Sequence, residues 1–196
     1  MDDRLAQVLD AIDTANRADP VAEPDTDGTP KPRALLYGRR MSAELARLFG
    51  GEASDVLQIA ARGQHIERWT LPRSDYPEGK AGYLRWRRDQ GMRHGEALAG
   101  LMADAGYDGD ACDRVRALLK KERLKSDPEV QALEDVICFT FMRWYFAPFA
   151  AKHPAEKVAD IVAKTARKMS NAARERAVAE FALPPDLAEL VRPVTL

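Results

Sequence analysis

Apolar residues recur along most of this chain at three- and four-residue spacing, the period of an amphipathic helix. Residues 2–18 carry Leu5, Val8, Leu9 and Ile12 on one stripe. The same period runs through Leu35, Leu36, Met41, Leu45 and Leu48 in residues 33–49, where Gly50-Gly51 supplies a helix stop. Residues 53–69 follow with Val56, Ile59, Ala60 and Gly63, small enough for close packing against a neighbour. Further helices are predicted over 79–105, 109–124, 127–151 and 154–181, with a short segment after Pro184-Pro185. Ser126 and Glu129 have the spacing of a capping box ahead of the run VICFTFMRWYFAPF, which is predicted to be the most buried helix.

Two stretches break the pattern. Residues 19–32 hold four prolines and a glycine and are predicted to be an extended loop. Residues 70–79 form a polar loop with Pro72 and Pro77. No strand alternation, hairpin turn signal or internal repeat is visible. The prediction is an all-α fold, a single helical domain over residues 1–196.

Composition changes this picture locally rather than globally. The net charge is −1, so no overall field draws the chain to nucleic acid or anionic lipid. Residues 1–30, however, carry eight acidic and two basic side chains, and residues 62–93 eight basic and four acidic. A basic middle under a neutral total suits a small anionic ligand better than a long polyanion. Cys112 and Cys138 lie in separate helices and read as buried free thiols. The opening Met1-Asp2-Asp3 is unlike a signal peptide and no apolar run reaches membrane-spanning length, which predicts a cytoplasmic protein with no membrane partner.

Candidate chemistry concentrates in residues 58–94, which hold two of the three histidines and two of the three tryptophans among many arginines. Helical spacing puts His65 with Arg62, Arg68 and Trp69, and His94 with Tyr83, Arg87 and Gln90. If the two helices pack antiparallel, both histidines face one site lined by guanidinium groups. Arginine suits that task because its planar fork pairs with phosphate or carboxylate oxygens. Arg62, Arg68, Arg85 and Arg87 are the candidate anion holders, with Trp69, Tyr83 or Trp86 stacking on an apolar portion. Lys120 and Arg123, from a basic helix end, are added as candidate contacts. The Glu134-Asp135 pair interrupts an apolar run, so one carboxylate is expected to point inward to a partner. No phosphate loop, nucleophile elbow or HExxH motif is present.

The segments LLYGRRM, QHIERW, PRSDYPEGKAGYLRWR and KKERLKSDPEVQALEDV resemble a group of bacterial all-helical proteins described as a domain of unknown function. More distantly, the order of elements is similar to the HD-domain metal-dependent phosphohydrolases. That resemblance implies an HD-like helix bundle acting on phosphate esters of nucleotides. It places Tyr37 at the first histidine, with Arg40 in the same segment, His65 at the His-Asp position, His94 at an additional histidine, and Asp135 at the late aspartate. Tyr37 and Ile66 stand where metal ligands belong, so no metal is favoured; a single divalent metal on His65, His94 and Asp135 is the arrangement that remains. The expectation is a degenerate HD-like domain binding a phosphorylated or otherwise anionic small molecule, a nucleotide among the candidates. If it is an enzyme, it is a phosphohydrolase using His65 or His94 as base or ligand, with Asp135 orienting it. The alternative is a non-catalytic binding or adaptor protein whose basic aromatic face meets RNA or an acidic protein.

Overall fold

Asp13, on the first helix, ties three helices together from an almost fully buried position. The structure, a computed structural model, describes residues 3–193; the expected helix start at Asp2 lies outside them. The described chain is all-α apart from two three-residue strands and divides into two compact units, residues 1–123 and 124–196.

In the first unit, α1 (Asp3–Asn16) buries Leu5, Val8 and Ile12 of the predicted stripe, while Leu9 is half-buried. A short antiparallel hairpin follows, β1 (Ala22–Pro24) against β2 (Pro30–Pro32), turning at Gly28. This corrects the purely extended loop expected over 19–32. The pairing escapes periodicity because prolines occupy both strands, and proline donates nothing to a ladder. The hairpin is secured by Arg40, which donates to Glu23 at 2.8 Å and to the Pro24 carbonyl. Asp19 accepts from the backbone of Val21 and Ala34, so it caps the next helix across 15 residues.

That helix, α2 (Arg33–Phe49), buries Leu35, Leu36, Met41 and Leu45. α3 (Asp55–Arg62) is capped by Ser54 and stops at Gly63, shorter than the predicted 53–69. α4 (Gly79–Asp104) and α5 (Gly109–Lys120) pack together along their lengths. Two glycines set how closely these helices approach. A Cβ on Gly38 would lie 2.5 Å from the Arg62 carbonyl oxygen, and one on Gly63 would lie 2.3 Å from the Leu98 side chain. Absence of those carbons lets α2 meet the end of α3, and lets the turn after α3 meet α4.

In the second unit, α6 (Pro128–Thr140) buries Val130, Leu133, Val136 and Phe139. Its cap is Asp127, accepting from Glu129 and Val130 amides, rather than Ser126. The helix widens into a π-turn over Phe141–Tyr145 and continues as α7 (Phe146–Ala150). Pro148 accounts for the widening, since it has no amide to donate and its ring displaces the carbonyl four residues back. Burial fades after Met142, so the apolar run is the buried core only in its first half. The helix predicted over 154–181 is two, α8 (Ala155–Lys168) and α9 (Asn171–Glu180), because Ser170 adopts an extended conformation and caps the second. α10 (Pro185–Val191) closes the unit. Both cysteines are buried free thiols, and among the described residues no helix is long and apolar enough to cross a membrane.

Candidate anion site

Because α3 ends at Arg62, His65 sits not on a helix face but in the turn that follows. The turn is held from outside: Asn16 accepts from the Glu67 amide at 3.0 Å, and Glu67 takes the left-handed conformation at φ 48°. Gly38 and Gly63 then decide what surrounds the imidazole. The Tyr37 ring, next to Gly38, stacks on His65 with centroids 3.8 Å apart and planes 15° apart. His94, one helical turn before Leu98 on α4, comes within 6.3 Å of His65, ring centroid to ring centroid. The two histidines therefore share one face of the site.

The chain after the turn is strapped to α4. Gln90 donates through Nε2 to the carbonyls of Arg68 and Leu71, at 3.0 and 2.9 Å, and Trp86 Nε1 donates to Leu71 at 3.0 Å. This places the half-buried Arg68 guanidinium over the Trp86 ring, 4.5 Å from its centroid. Arg87 lies 5.9 Å from the Tyr83 ring centroid, and Tyr83 tilts against Trp86 at 6.0 Å. Two of the predicted aromatics, Trp86 and Tyr83, thus back arginines; Trp69 is half-buried and joins neither stack.

The electrostatics are one-sided. Burial pushes the His65 pKa well below the ordinary histidine value, and Arg68, His94, Lys121 and Arg33 push it further. Burial, then Arg68 and Arg93, hold His94 down at about 3. Burial also lowers the Arg68 pKa, with Arg87 and Arg33 acting in the same sense against Tyr37 and Tyr83. Both imidazoles are accordingly neutral at neutral pH, amid cations. Among the described residues, Arg33, Arg68 and Arg87 have no carboxylate at ion-pairing distance.

Arg33 and Lys121 are site cations that sequence spacing did not single out. Arg33 opens α2 four residues before Tyr37, where a cation opposes the helix dipole, and that misplacement was a readable signal. Lys121 differs from its basic neighbours through its backbone, left-handed at φ 59° just past α5, which the residue type does not announce.

Other expected residues have different employment. Arg62 spends its fork on Asp13, with Nε to Oδ1 at 2.7 Å and Nη2 to Oδ2 at 2.8 Å. Arg40 holds the hairpin through Glu23. Arg85 is exposed and lies 3.8 Å from Asp89, and Lys120 is exposed and lies 3.9 Å from Glu122. Arg123 is exposed, with a left-handed backbone. Asp135 belongs to the second unit, where it accepts from Gln131 Nε2, the Ser170 amide and the Ser170 hydroxyl at 2.7–2.9 Å. Burial raises its pKa in spite of those three donors. It ties α6 to the α8–α9 break. His153 sits in a turn against Phe149.

Residues 6–191 match the model of a family described as a domain of unknown function, DUF4202. The chain belongs to that family. The match spans both units, so the residues around His65 and the Asp135 network are parts of one family sequence. No curated protein and no solved structure matches the chain.

Proposed function

We propose that the first unit binds a phosphorylated or otherwise anionic small molecule at His65, between α2, α4 and the end of α5. The observation that carries this reading is the gathering of Arg33, Arg68 and Lys121 on one half-buried imidazole, every prominent charge there being positive. Like charges gathered around a partly buried group repel one another. Such repulsion is tolerated where a ligand offsets it, and a phosphate dianion does so with fork-shaped donors already in place. The rings beside Arg68 and Arg87 restrain their guanidinium groups before any ligand arrives.

The resemblance to HD-domain enzymes is supported by the meeting of Tyr37, His65 and His94. The donor set, though, does not suit a divalent metal: Ile66 is buried and carries no ligand atom, and cations crowd the histidines. Asp135 has its oxygens occupied by Ser170 and Gln131. We derive no step through a metal. A general base works best with a pKa near the operating pH, and both imidazoles are held well below it, which favours binding over hydrolysis. Free buried thiols accord with a reducing, cytoplasmic setting.

The test is titration calorimetry of the full chain with inorganic pyrophosphate and a panel of phosphorylated metabolites. Binding is expected, weakened about 10- to 100-fold by Arg68→Gln, the worth of one charge-assisted contact, and unchanged by Arg85→Gln. No phosphorylated compound binding, or a steeply salt-dependent preference for single-stranded RNA, would replace this reading.

A further inference from the structure

Two acceptors on α4 are buried at the site with nothing to accept from. His94 and Gln90 are 2% and 1% exposed, and they lie four residues apart on one face of the helix. Among the described residues, neither His94 Nε2 nor Gln90 Oε1 has a hydrogen-bond partner. Their chemical character is fixed by what the rest of each side chain does. Gln90 spends both amide hydrogens on the Arg68 and Leu71 carbonyls, so the atom left over is the amide oxygen, an acceptor. The His94 ring hydrogen-bonds the Gln64 backbone in the sense that favours its protonated form, as donation to a carbonyl does. Nδ1 is then the donor and Nε2 keeps a lone pair. A buried acceptor left without a donor is destabilising, and two on one helical face is uncommon.

Building on the anion-site reading, we infer that the ligand carries hydroxyl groups beside its anionic group, and that these donate to His94 Nε2 and Gln90 Oε1. The surroundings narrow the donor. An ammonium group would enter beside Arg33 and Arg68, neither of which has a carboxylate at ion-pairing distance among the described residues, and be repelled; a carboxylate or phosphate dianion has no hydrogen to give. A neutral hydroxyl meets both conditions. The ligand class is therefore a polyhydroxylated phosphate ester, such as a sugar phosphate, with its phosphate on the arginines and its hydroxyls against α4. Gln90 has a double office in this arrangement: its amide nitrogen strings Arg68 into place, and its oxygen reads the neighbouring hydroxyl.

Calorimetry of the full chain with ribose 5-phosphate and methyl phosphate decides it. Ribose 5-phosphate is expected to bind about 10-fold or more tightly, the value of one well-made hydrogen bond. In His94→Phe the gap should narrow while methyl phosphate affinity stays within about twofold. Equal affinities in the unaltered chain overturn the hydroxyl inference and leave the anion reading standing, water then serving the two acceptors. Equal losses for both ligands in His94→Phe make His94 merely structural and overturn it too. Failure of both ligands to bind removes the anion reading along with it. Should His94→Phe not fold, the comparison in the unaltered chain decides the matter alone.

Discussion

Tyr37 and His65, one on α2 and the other beyond the end of α3, lie face to face with ring centroids 3.8 Å apart. A neutral imidazole can be stacked in this way without leaving a buried charge, which agrees with the depressed pKa of His65. Tyr37→Phe keeps the ring, whereas Tyr37→Leu forfeits the aromatic pairing and is expected to cost about 1 kcal/mol more. Urea denaturation of the two variants separates these; equal losses would show that the ring contact contributes nothing beyond bulk.

Histidines kept neutral by the fold make stability depend on pH with a definite sign. The unfolded chain takes up a proton at His94 below about pH 6.5, while the folded chain resists until about 3. The stabilisation is therefore complete above pH 6.5 and is lost as pH falls toward 3, at about 1.4 kcal/mol for each pH unit and each such histidine. His65 acts in the same direction. Between pH 6.5 and 5, unfolding free energy should fall with a slope that approaches one proton from His94, to which His65 adds in the same sense, and His94→Gln should remove the first contribution. An unchanged slope in that variant would mean His94 is protonated in the folded state.

Helix positions were readable because burial of a stripe imposes its period on the sequence, and α2 and α4 fall within a residue of the predicted bounds. The site was readable by composition, since arginines and aromatics gathered in one stretch have few other uses. Its membership was not, because two residues of one type differ only in what they face. Arg62 and Arg68 sit on either side of Gly63; the first meets Asp13, 49 residues earlier, and the second meets Trp86. Helical spacing put both on one face, and that spacing ended with the helix at Arg62. Likewise one of Glu134 and Asp135 was expected to point inward, but both are buried, and the partner of Asp135 is Ser170, whose extended backbone splits a helix that periodicity reads as continuous.

The Arg62 pairing has a measurable consequence that sets it apart from the site arginines. Asp13 is 6% exposed, and without Arg62 it keeps only the longer contact from Arg39 at 3.3 Å. Breaking a buried pair by removing one partner costs about 3–5 kcal/mol, reduced here by what Arg39 retains. Arg62→Gln should thus lose about 3 kcal/mol in denaturant unfolding, with pyrophosphate affinity in the surviving folded protein changed less than about twofold. Arg68→Gln should do the reverse. If Arg62→Gln instead weakened binding as much as Arg68→Gln, Arg62 would belong to the anion site.

Gly38 is where fold and site meet most directly. An added Cβ there would lie 2.5 Å from the Arg62 carbonyl oxygen, a backbone atom at the end of α3 that cannot swing aside as a side chain would. Gly38→Ala therefore forces α2 and α3 apart, an overpacking expected to cost about 1–3 kcal/mol. The displacement acts first on the neighbouring residue, Tyr37, and through its ring on His65 and the cations around it. Gly38→Ala should consequently lower both stability and pyrophosphate affinity, whereas Gly100→Ala, on α4 with open space around its Cα, should lower neither. Thermal unfolding and calorimetry on the same two variants give the comparison. A destabilised Gly38→Ala protein that binds with unaltered affinity would show that the anion site does not depend on the approach of α2 to α3, and would leave the Tyr37–His65 contact as packing alone.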